Sequence, residues 1–252
     1  MRKTRASSSP AAALWRHHSA HSTANNITFD AEHGIGAWQT QDFFRALRHG
    51  EAPDGSSYYP VFPYTTYTRM RREDMFALWA YLATVPKSTR QNTPHDLVWY
   101  MDYRIANRFW KFLFFEPGVY QADEKRSNSW NRGAYLVEAM AHCGECHTPR
   151  TVFGNPDTDL AYAGALEGPE GESVPNITPD KATGIGDWSR SELVDYLSEG
   201  LLPDGDYAGS LMADVIDDGL TYLTPEDLDA IAEYITTLPA IENRIGGEDG
   251  GG

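Results

Sequence analysis

The sequence predicts an all-α protein made of two copies of one module, the first of which is incomplete. Helix start and stop signals recur along the chain, and no strand–helix–strand pattern surrounds its most distinctive motif. One series of residues also occurs twice, 150 positions apart. Since an internal repeat marks a repeated structural unit, we expect two related helical modules.

The repeat is clearest in its opening residues. Asn26–Asp30 reads N-I-T-F-D and is followed by G-I-G and Trp38, while Asn176–Asp180 reads N-I-T-P-D and is followed by G-I-G and Trp188. Both copies continue through a short helix to a glycine and then to Pro-Asp-Gly. The match resumes in a last helix, where Glu73-Asp74, Ala77, Tyr81 and Pro86 correspond to Glu226-Asp227, Ala230, Tyr234 and Pro239.

Helix boundaries are readable in the second copy. Ser189 and Glu192 have the spacing of a capping box. Thr224 is a typical N-cap residue, and Pro225 suits the first helical position. The last helix then carries an apolar stripe at helical spacing, formed by Leu228, Ile231, Ile235 and Leu238.

Composition divides the chain into five segments. The first, rich in Ser, Ala and His, differs from everything after it, and the third is rich in Trp, Tyr and Phe. We interpret that third segment as a connector packed against both modules. The predicted divisions are 1–24 (a segment unlike the rest), 25–86 (remnant of the first module), 87–129 (aromatic connector), 130–240 (complete module) and 241–252 (Gly-rich tail).

Charge and hydropathy exclude several classes of protein. The formal net charge of −15 argues against nucleic-acid binding. No run of about 18 apolar residues is present, so no transmembrane segment is predicted. The stretch from Met1 to Ala24 lacks the continuous apolar core of a signal peptide.

The most specific motif is Cys143-Gly-Glu-Cys146-His147, which contains both cysteines of the chain. C-x-x-C-H is the spacing at which a haem c is attached. The two thiols add to the haem vinyl groups, and the histidine becomes the proximal ligand of the iron. The sequence therefore predicts one covalent haem site.

Two other chemistries use similar residues. A thioredoxin-like redox site places C-x-x-C in a βαβ setting, whereas the residues before Cys143 are predicted to be helical. A structural zinc site needs four ligands, and no second Cys or His pair with suitable spacing is present. Haem attachment is the interpretation that fits best.

The second axial ligand is predicted to be Met212. Methionine is the usual partner of histidine in electron-transfer haems, and Met212 is the only methionine after His147. In the first module, Met70 is either a ligand or a core residue, and Phe62 lies nearer the usual ligand position.

These motifs together resemble the dihaem cytochrome c family that serves periplasmic dehydrogenases, over about residues 25 to 240. The family includes cytochrome subunits of quinoprotein alcohol and sugar-acid dehydrogenases and of some molybdenum hydroxylases. The resemblance is carried by Trp130–Leu136, by H-C-G-E-C-H-T-P-R at His142–Arg150, by both N-I-T blocks and by Y-P-V-F-P-Y at Tyr59–Tyr64. It implies two cytochrome c-like modules.

The resemblance also implies a set of site residues and partners. Cys143 and Cys146 would be thioether anchors, His147 the proximal ligand and Met212 the distal ligand of haem c. The haem propionates would lie near Arg150, Asn176 and Trp188. An intact member would hold two haems, of which one is attachable here. The protein would be a periplasmic electron carrier between a dehydrogenase catalytic subunit and a quinone site or oxidase.

The first module departs from the family because no C-x-x-C-H precedes Asn26. The family there has the pattern F-A-G-G-R-x-L-x-T-P-F-G-x-x-Y-S. Read in a frame shifted by one base, codons for Ser9 to Leu14 can encode F-A-G-G-R-A, and codons for Trp15 to Ala24 can encode L-A-T-P-F-G-T-F-Y-S. We therefore interpret residues 1–24 as out-of-frame translation and expect the first attachment motif upstream.

Two alternatives to an electron carrier follow from the same residues. If Met212 does not bind iron, the open position would support peroxidase-like chemistry. If the frame shift removes the export signal and the first haem, the chain would be a non-functional fragment.

Overall fold

The protein is all-α, as the sequence predicts. The computed structural model describes residues 25–93, 104–168 and 171–245, so the segment 1–24 lies outside the described residues. Within those ranges no β-strand occurs, only isolated bridges such as the pair Arg150 and Pro156. The α-helices are α1 (Thr40–His49), α2 (Tyr64–Tyr67), α3 (Arg72–Leu82), α4 (Arg104–Phe114), α5 (Asn128–Tyr135), α6 (Cys143–His147), α7 (Arg190–Glu199), α8 (Ser210–Asp218) and α9 (Pro225–Ile235).

Two compact units divide the chain between Gly118 and Val119. The division falls inside the aromatic segment 87–129. In the first unit, Asn107 of α4 is buried and donates a 2.9 Å hydrogen bond to the carbonyl of Tyr58. Across the described ranges, no helix is long and apolar enough to span a membrane.

The repeat is visible in the backbone hydrogen bonds of the two units. Helices α1 and α7 each have ten residues and each end at a glycine with positive φ, Gly50 and Gly200. The Gly50 carbonyl accepts from the amide of Tyr58 at 2.8 Å, and the Gly200 carbonyl accepts from Ala208 at 2.8 Å. The offset of 150 residues therefore holds from the N-I-T turns to positions 58 and 208.

The first unit has an aromatic core. Phe29 lies 4.5 Å from Trp79 between ring centroids, and Phe43 lies 5.0 Å from Trp79. Met70 and Met75 are each 1% exposed and complete this core with Ile35 and Leu47. The Met70 carbonyl accepts a 2.8 Å hydrogen bond from Arg48.

The core of the second unit forms where α5 crosses α9. Gly133 faces Ala230 so closely that a Cβ atom at position 133 would lie 1.9 Å from the Ala230 carbonyl oxygen. Only glycine permits this approach. An ion pair between Arg132 and Asp227, with two 2.7 Å hydrogen bonds, also joins the two helices. This crossing positions the segment that leads into Cys143.

Residues beyond the last helix also belong to the second unit. The Ile241 carbonyl accepts a 2.8 Å hydrogen bond from Asn176, and Asn243 donates to the carbonyl of Ala163 at 3.0 Å. The segment from 241 to 245 thus closes over the N-I-T turn, while 246–252 lies outside the described residues.

Candidate haem-attachment site

The C-x-x-C-H motif stands at the end of a continuous helical segment. Helix α5 passes into a π-helical turn at Leu136–Met140, and His142 then reverses the backbone with a φ of 46°. The short helix α6 begins at Cys143. The close crossing with α9 fixes the position of α5, and α5 leads into the segment that carries the two cysteines and His147.

The two cysteines are free thiols that lie partly buried one helical turn apart. Burial raises the pKa of Cys143 to about 12 and also raises the pKa of Cys146. A thioredoxin-like C-x-x-C site works through a thiol whose pKa is lowered. The electrostatics of this pair therefore argue against a dithiol redox site.

His147 is 9% exposed, and its Nδ1 lies 2.8 Å from the carbonyl oxygen of Pro175. A carbonyl only accepts hydrogen bonds, so Nδ1 carries the proton and Nε2 keeps a lone pair. Burial lowers the pKa of His147, which favours the neutral imidazole. A neutral histidine oriented through its other nitrogen is the form in which histidine binds a metal.

The donor set fits a covalently attached haem. Two neutral thiols beside a neutral imidazole supply the two attachment points and one axial ligand in the order that haem c requires. The loop after α6 holds these residues in place through two backbone amides. The amide of Gly164 donates to the His147 carbonyl at 2.7 Å, and the amide of Tyr162 donates to the Thr148 hydroxyl at 3.0 Å.

Arg150 is engaged within its own segment. Its guanidinium forms an ion pair with the Glu145 carboxylate and donates to the Glu145 carbonyl at 3.0 Å. Since Glu145 lies between the two cysteines in sequence, this pair ties the residues after His147 back to α6. A contact between Arg150 and a haem propionate stays a prediction.

Asn176 acts as a structural clamp. It is 3% exposed, and its side-chain oxygen accepts from the amide and hydroxyl of Thr178 at 2.8 and 2.7 Å. Its amide nitrogen donates to Thr183 and to the Ile241 carbonyl at 3.0 and 2.8 Å. Asn176 therefore orders the turn that follows Pro175, the partner of His147.

Trp188 and Met212 both border the apolar core of the second unit. Trp188 is partly buried and packs edge-on against Tyr196 at 5.4 Å between ring centroids. Met212 is the third residue of α8 and is also partly buried. The structure places Met212 in the same unit as His147, and its bond to iron stays a prediction.

The hydrogen-bond register of the first unit places Met70 at a different position in the repeat from Met212. The amides of Tyr58 and Ala208 make equivalent hydrogen bonds at an offset of 150 residues, and at that offset Phe62 corresponds to Met212. When the last helices of the two units are aligned instead, Met70 corresponds to Leu223. The backbone amide of each donates a 3.0 Å hydrogen bond to the carbonyl three residues earlier. Met70 thus stands at a core position in the repeat.

Sequence reasoning missed Pro175 and the loop residues Tyr162 and Gly164. The only sequence signal for Pro175 is its place directly before the second N-I-T block. Its function depends on a carbonyl that meets His147 across 28 residues, and a carbonyl has no side-chain signature.

Comparisons with known proteins identify several similar chains. A protein of Cereibacter sphaeroides described as a dihaem c-type cytochrome is 45% identical over 219 residues, which cover 86% of this chain and 71% of that protein. The fructose dehydrogenase cytochrome subunit of Gluconobacter japonicus is 39% identical over 219 residues, which cover 86% of this chain and 44% of that subunit. No family model matches the chain.

A third relative is the cytochrome c subunit of a quinone-type alcohol dehydrogenase from Gluconobacter oxydans. It is 33% identical over 240 residues, which cover 90% of this chain and 49% of that subunit. The chain therefore spans most of the Cereibacter protein but half or less of these two dehydrogenase subunits.

Proposed function

Because the chain belongs to the dihaem c-type cytochrome family and is an electron carrier, we propose that it takes electrons from a dehydrogenase catalytic subunit and passes them to a respiratory acceptor. The observation that carries the site assignment is the neutral His147, with Nδ1 held by the Pro175 carbonyl, directly after two neutral thiols. The proposed acceptor is a quinone site or a terminal oxidase.

Each site residue has one task in this proposal. Cys143 and Cys146 would hold the porphyrin, and His147, through Nε2, and Met212 would be the protein ligands of its iron. A bound haem c supplies a one-electron iron couple. With His147 and Met212 as ligands, the chain would need no general acid, base or nucleophile.

The residues around the motif support this task by restricting motion. Pro175 fixes the orientation of the His147 ring, and Asn176 holds the turn on which Pro175 stands. Trp188 and Arg150 would be neighbours of the haem propionates. A rigid ligand set keeps the geometry similar in both oxidation states, which lowers the reorganisation that accompanies electron transfer.

The location and the haem content belong to the same proposal. Haem attachment to C-x-x-C-H occurs in an exported compartment, so the working protein is periplasmic. The sequence contains one C-x-x-C-H, and we propose one haem for the chain, held in its second unit.

The distribution of charge supports docking to a basic partner, and the excess of acidic residues lies in the second unit. Residues 119–252 contain 26 acidic side chains and 7 Lys or Arg, whereas residues 25–118 contain 10 of each. An acidic surface steers encounters with a basic patch and raises association rates at low salt. The proposed haem-bearing unit is therefore also the unit that attracts a basic redox partner.

A pyridine haemochrome spectrum tests the attachment site. The full chain would be fused to an export signal and produced together with haem-maturation machinery. We expect a c-type spectrum with one haem per chain and a low-spin iron. Cys143→Ser with Cys146→Ser should abolish covalent haem, while the exposed control Ser191→Ala should keep it.

The axial ligands are tested separately. Met212→Ala should convert the iron to a high-spin form that binds added imidazole, whereas Met140→Ala, at a partly exposed methionine, should leave the spectrum unchanged. A high-spin spectrum in the unmodified protein would contradict ligation by Met212 and favour peroxidase-like chemistry. Absence of covalent haem in the unmodified protein would contradict the carrier assignment for this chain.

A further inference from the structure

Residues that follow the last helix support both sides of His147, although they lie far from it in sequence. Two hydrogen bonds orient this histidine: the Gly164 amide donates to its carbonyl at 2.7 Å, and its Nδ1 lies 2.8 Å from the Pro175 carbonyl oxygen. Gly164 belongs to the loop after α6, and Pro175 directly precedes the second N-I-T turn. The closing segment, residues 241–245, makes hydrogen bonds to both this loop and this turn.

Asn243 is the residue that joins the loop to the turn. Its side-chain amide donates to the carbonyl of Ala163 in the loop at 3.0 Å. Its backbone amide donates to the Thr183 hydroxyl at 3.0 Å, and the same hydroxyl accepts a 3.0 Å hydrogen bond from Asn176 in the turn. One residue therefore connects the loop on the carbonyl side of His147 with the turn on its ring side.

The first unit repeats the attachment of this segment but has another residue at the place of Asn243. Ser88 corresponds to Ile241, because each carbonyl accepts a hydrogen bond from the asparagine of its N-I-T turn, at 2.7 and 2.8 Å. Two residues later, Arg90 corresponds to Asn243. The attachment to the turn is therefore common to both units, whereas the amide side chain at this position belongs to the unit that carries C-x-x-C-H.

We propose that Asn243 is a positioning residue for the axial histidine, and that the closing segment thereby adjusts the balance between the two oxidation states of the iron. The proposal rests on the proposed role of His147 as the proximal ligand. A hydrogen bond from Nδ1 to a carbonyl raises the basicity of a metal-bound imidazole, and a more basic ligand favours the ferric form. Asn243 holds the Pro175 carbonyl close to the ring. Without this link the bond lengthens on average, and reduction of the iron becomes easier.

Asn243→Ala tests this role in the exported, haem-loaded chain. Redox titration followed by absorbance should show a midpoint potential higher by about 30–60 mV, which corresponds to about threefold to tenfold in the equilibrium constant for reduction. Thr183→Val removes the other end of the link at similar volume and should shift the potential in the same direction. In the reduced protein, the Nδ1 proton of His147 should exchange with solvent faster in both variants, as measured by NMR.

The first unit supplies the matched control. Asn92 lies in its corresponding segment, where the side chain accepts from the amide of Asn26 at 2.6 Å and donates to the carbonyl of His33 at 3.1 Å. Asn92→Ala therefore removes a comparable link from the unit without C-x-x-C-H. It should leave both the potential and the proton exchange unchanged. Covalent haem content should be the same in all three variants, so that a shift reflects the iron site and not lost haem.

Three results would overturn the proposal. They are an unchanged potential and unchanged proton exchange in both Asn243→Ala and Thr183→Val, a fall in the potential of these variants, and an equal rise in Asn92→Ala. If Asn243→Ala does not fold, Thr183→Val decides between the outcomes.

A lack of covalent haem in the unmodified chain would instead contradict the carrier assignment. The tautomer of His147, determined by ¹⁵N NMR of the same chain above neutral pH, then tests the link by itself. We expect the proton on Nδ1 in the unmodified chain and a partial shift of the proton to Nε2 in Asn243→Ala. The same tautomer in both chains would overturn the proposal.

Discussion

Pro175 illustrates how a residue without a reactive side chain determines the chemistry of another. Its carbonyl oxygen, 2.8 Å from Nδ1 of His147, selects the tautomer that leaves Nε2 available to iron. Asn176, the next residue, directs its side-chain hydrogen bonds to Thr178 and Thr183 in the turn after this carbonyl and to the carbonyl of Ile241. A motif of five residues therefore depends on a turn almost thirty residues away.

Gly133 provides the sharpest prediction for a single residue. Gly133→Ala should destabilise the second unit by about 2–3 kcal/mol, because the new methyl group would have to displace the Ala230 carbonyl, 1.9 Å from its position. Urea denaturation followed by tryptophan fluorescence measures the change. Gly118→Ala is the matched control, since no atom lies within 4 Å of its Cβ position. Equal stability of the two variants would contradict the close crossing.

At the level of elements, α5 and α9 act as one support for the attachment motif. Arg132 lowers the pKa of Asp227 through its hydrogen bonds. The folded protein thus binds fewer protons at this carboxyl than the unfolded chain does. The pair contributes its full stability above pH 3.8, the ordinary pKa, and loses it as the pH falls from there through the lower pKa of the folded state.

Asp227→Asn tests this contribution. It should lower the free energy of unfolding at neutral pH by about 1 kcal/mol or less, because Arg132 is 41% exposed. The loss should shrink as the pH falls below 3.8. Chemical denaturation at several pH values measures both effects. Asp187→Asn removes an exposed pair with Lys181 and should change nothing at either pH; an equal loss there would rule out a specific α5–α9 pair.

The same crossing explains why the burial of α3 and α9 differs. Both helices have eleven residues, but only α9 begins with a side-chain cap, Thr224, followed by a proline at its first position; Arg71 at the start of α3 makes no side-chain cap hydrogen bond. Within its unit α9 packs on α5 and buries Ala230 and Tyr234, whereas Ala77 and Tyr81 of α3 are exposed. Burial of a helix face is decided by the neighbouring helix rather than by the helix itself.

For the whole molecule, the dominant feature is the separation of charge between the two units. The acidic excess lies entirely in residues 119–252, while residues 25–118 are balanced. The proposed haem of the second unit would therefore lie in the field of these acidic side chains.

Small redox reagents test this field. At low ionic strength, a cationic ruthenium ammine complex should exchange electrons with the haem-loaded chain faster than an anionic iron cyanide complex after correction for driving force. The difference should shrink as salt rises and screens the charges. Stopped-flow absorbance measures both rates. Equal rates at low salt, or a difference that salt does not change, would contradict steering by the acidic unit.

The sequence by itself determined the family, the all-α class, the repeat and the attachment motif. The helix signals and the attachment motif are local: a capping box joins Ser189 to Glu192, and Cys143, Cys146 and His147 are neighbours on one short helix. Their spacing along the chain is diagnostic, so they can be recognised without knowledge of the fold.

Only the tertiary structure decided the tautomer of His147, the clamp formed by Asn176, the core position of Met70 and the exposure of Ala77 and Tyr81. Each depends on atoms that are distant in sequence, such as the Pro175 carbonyl or the presence of α5 beside α9. Backbone carbonyls and helix crossings leave no residue pattern of their own. Packing alone brings such groups into contact, and it therefore produces different burial in two units that share one sequence repeat.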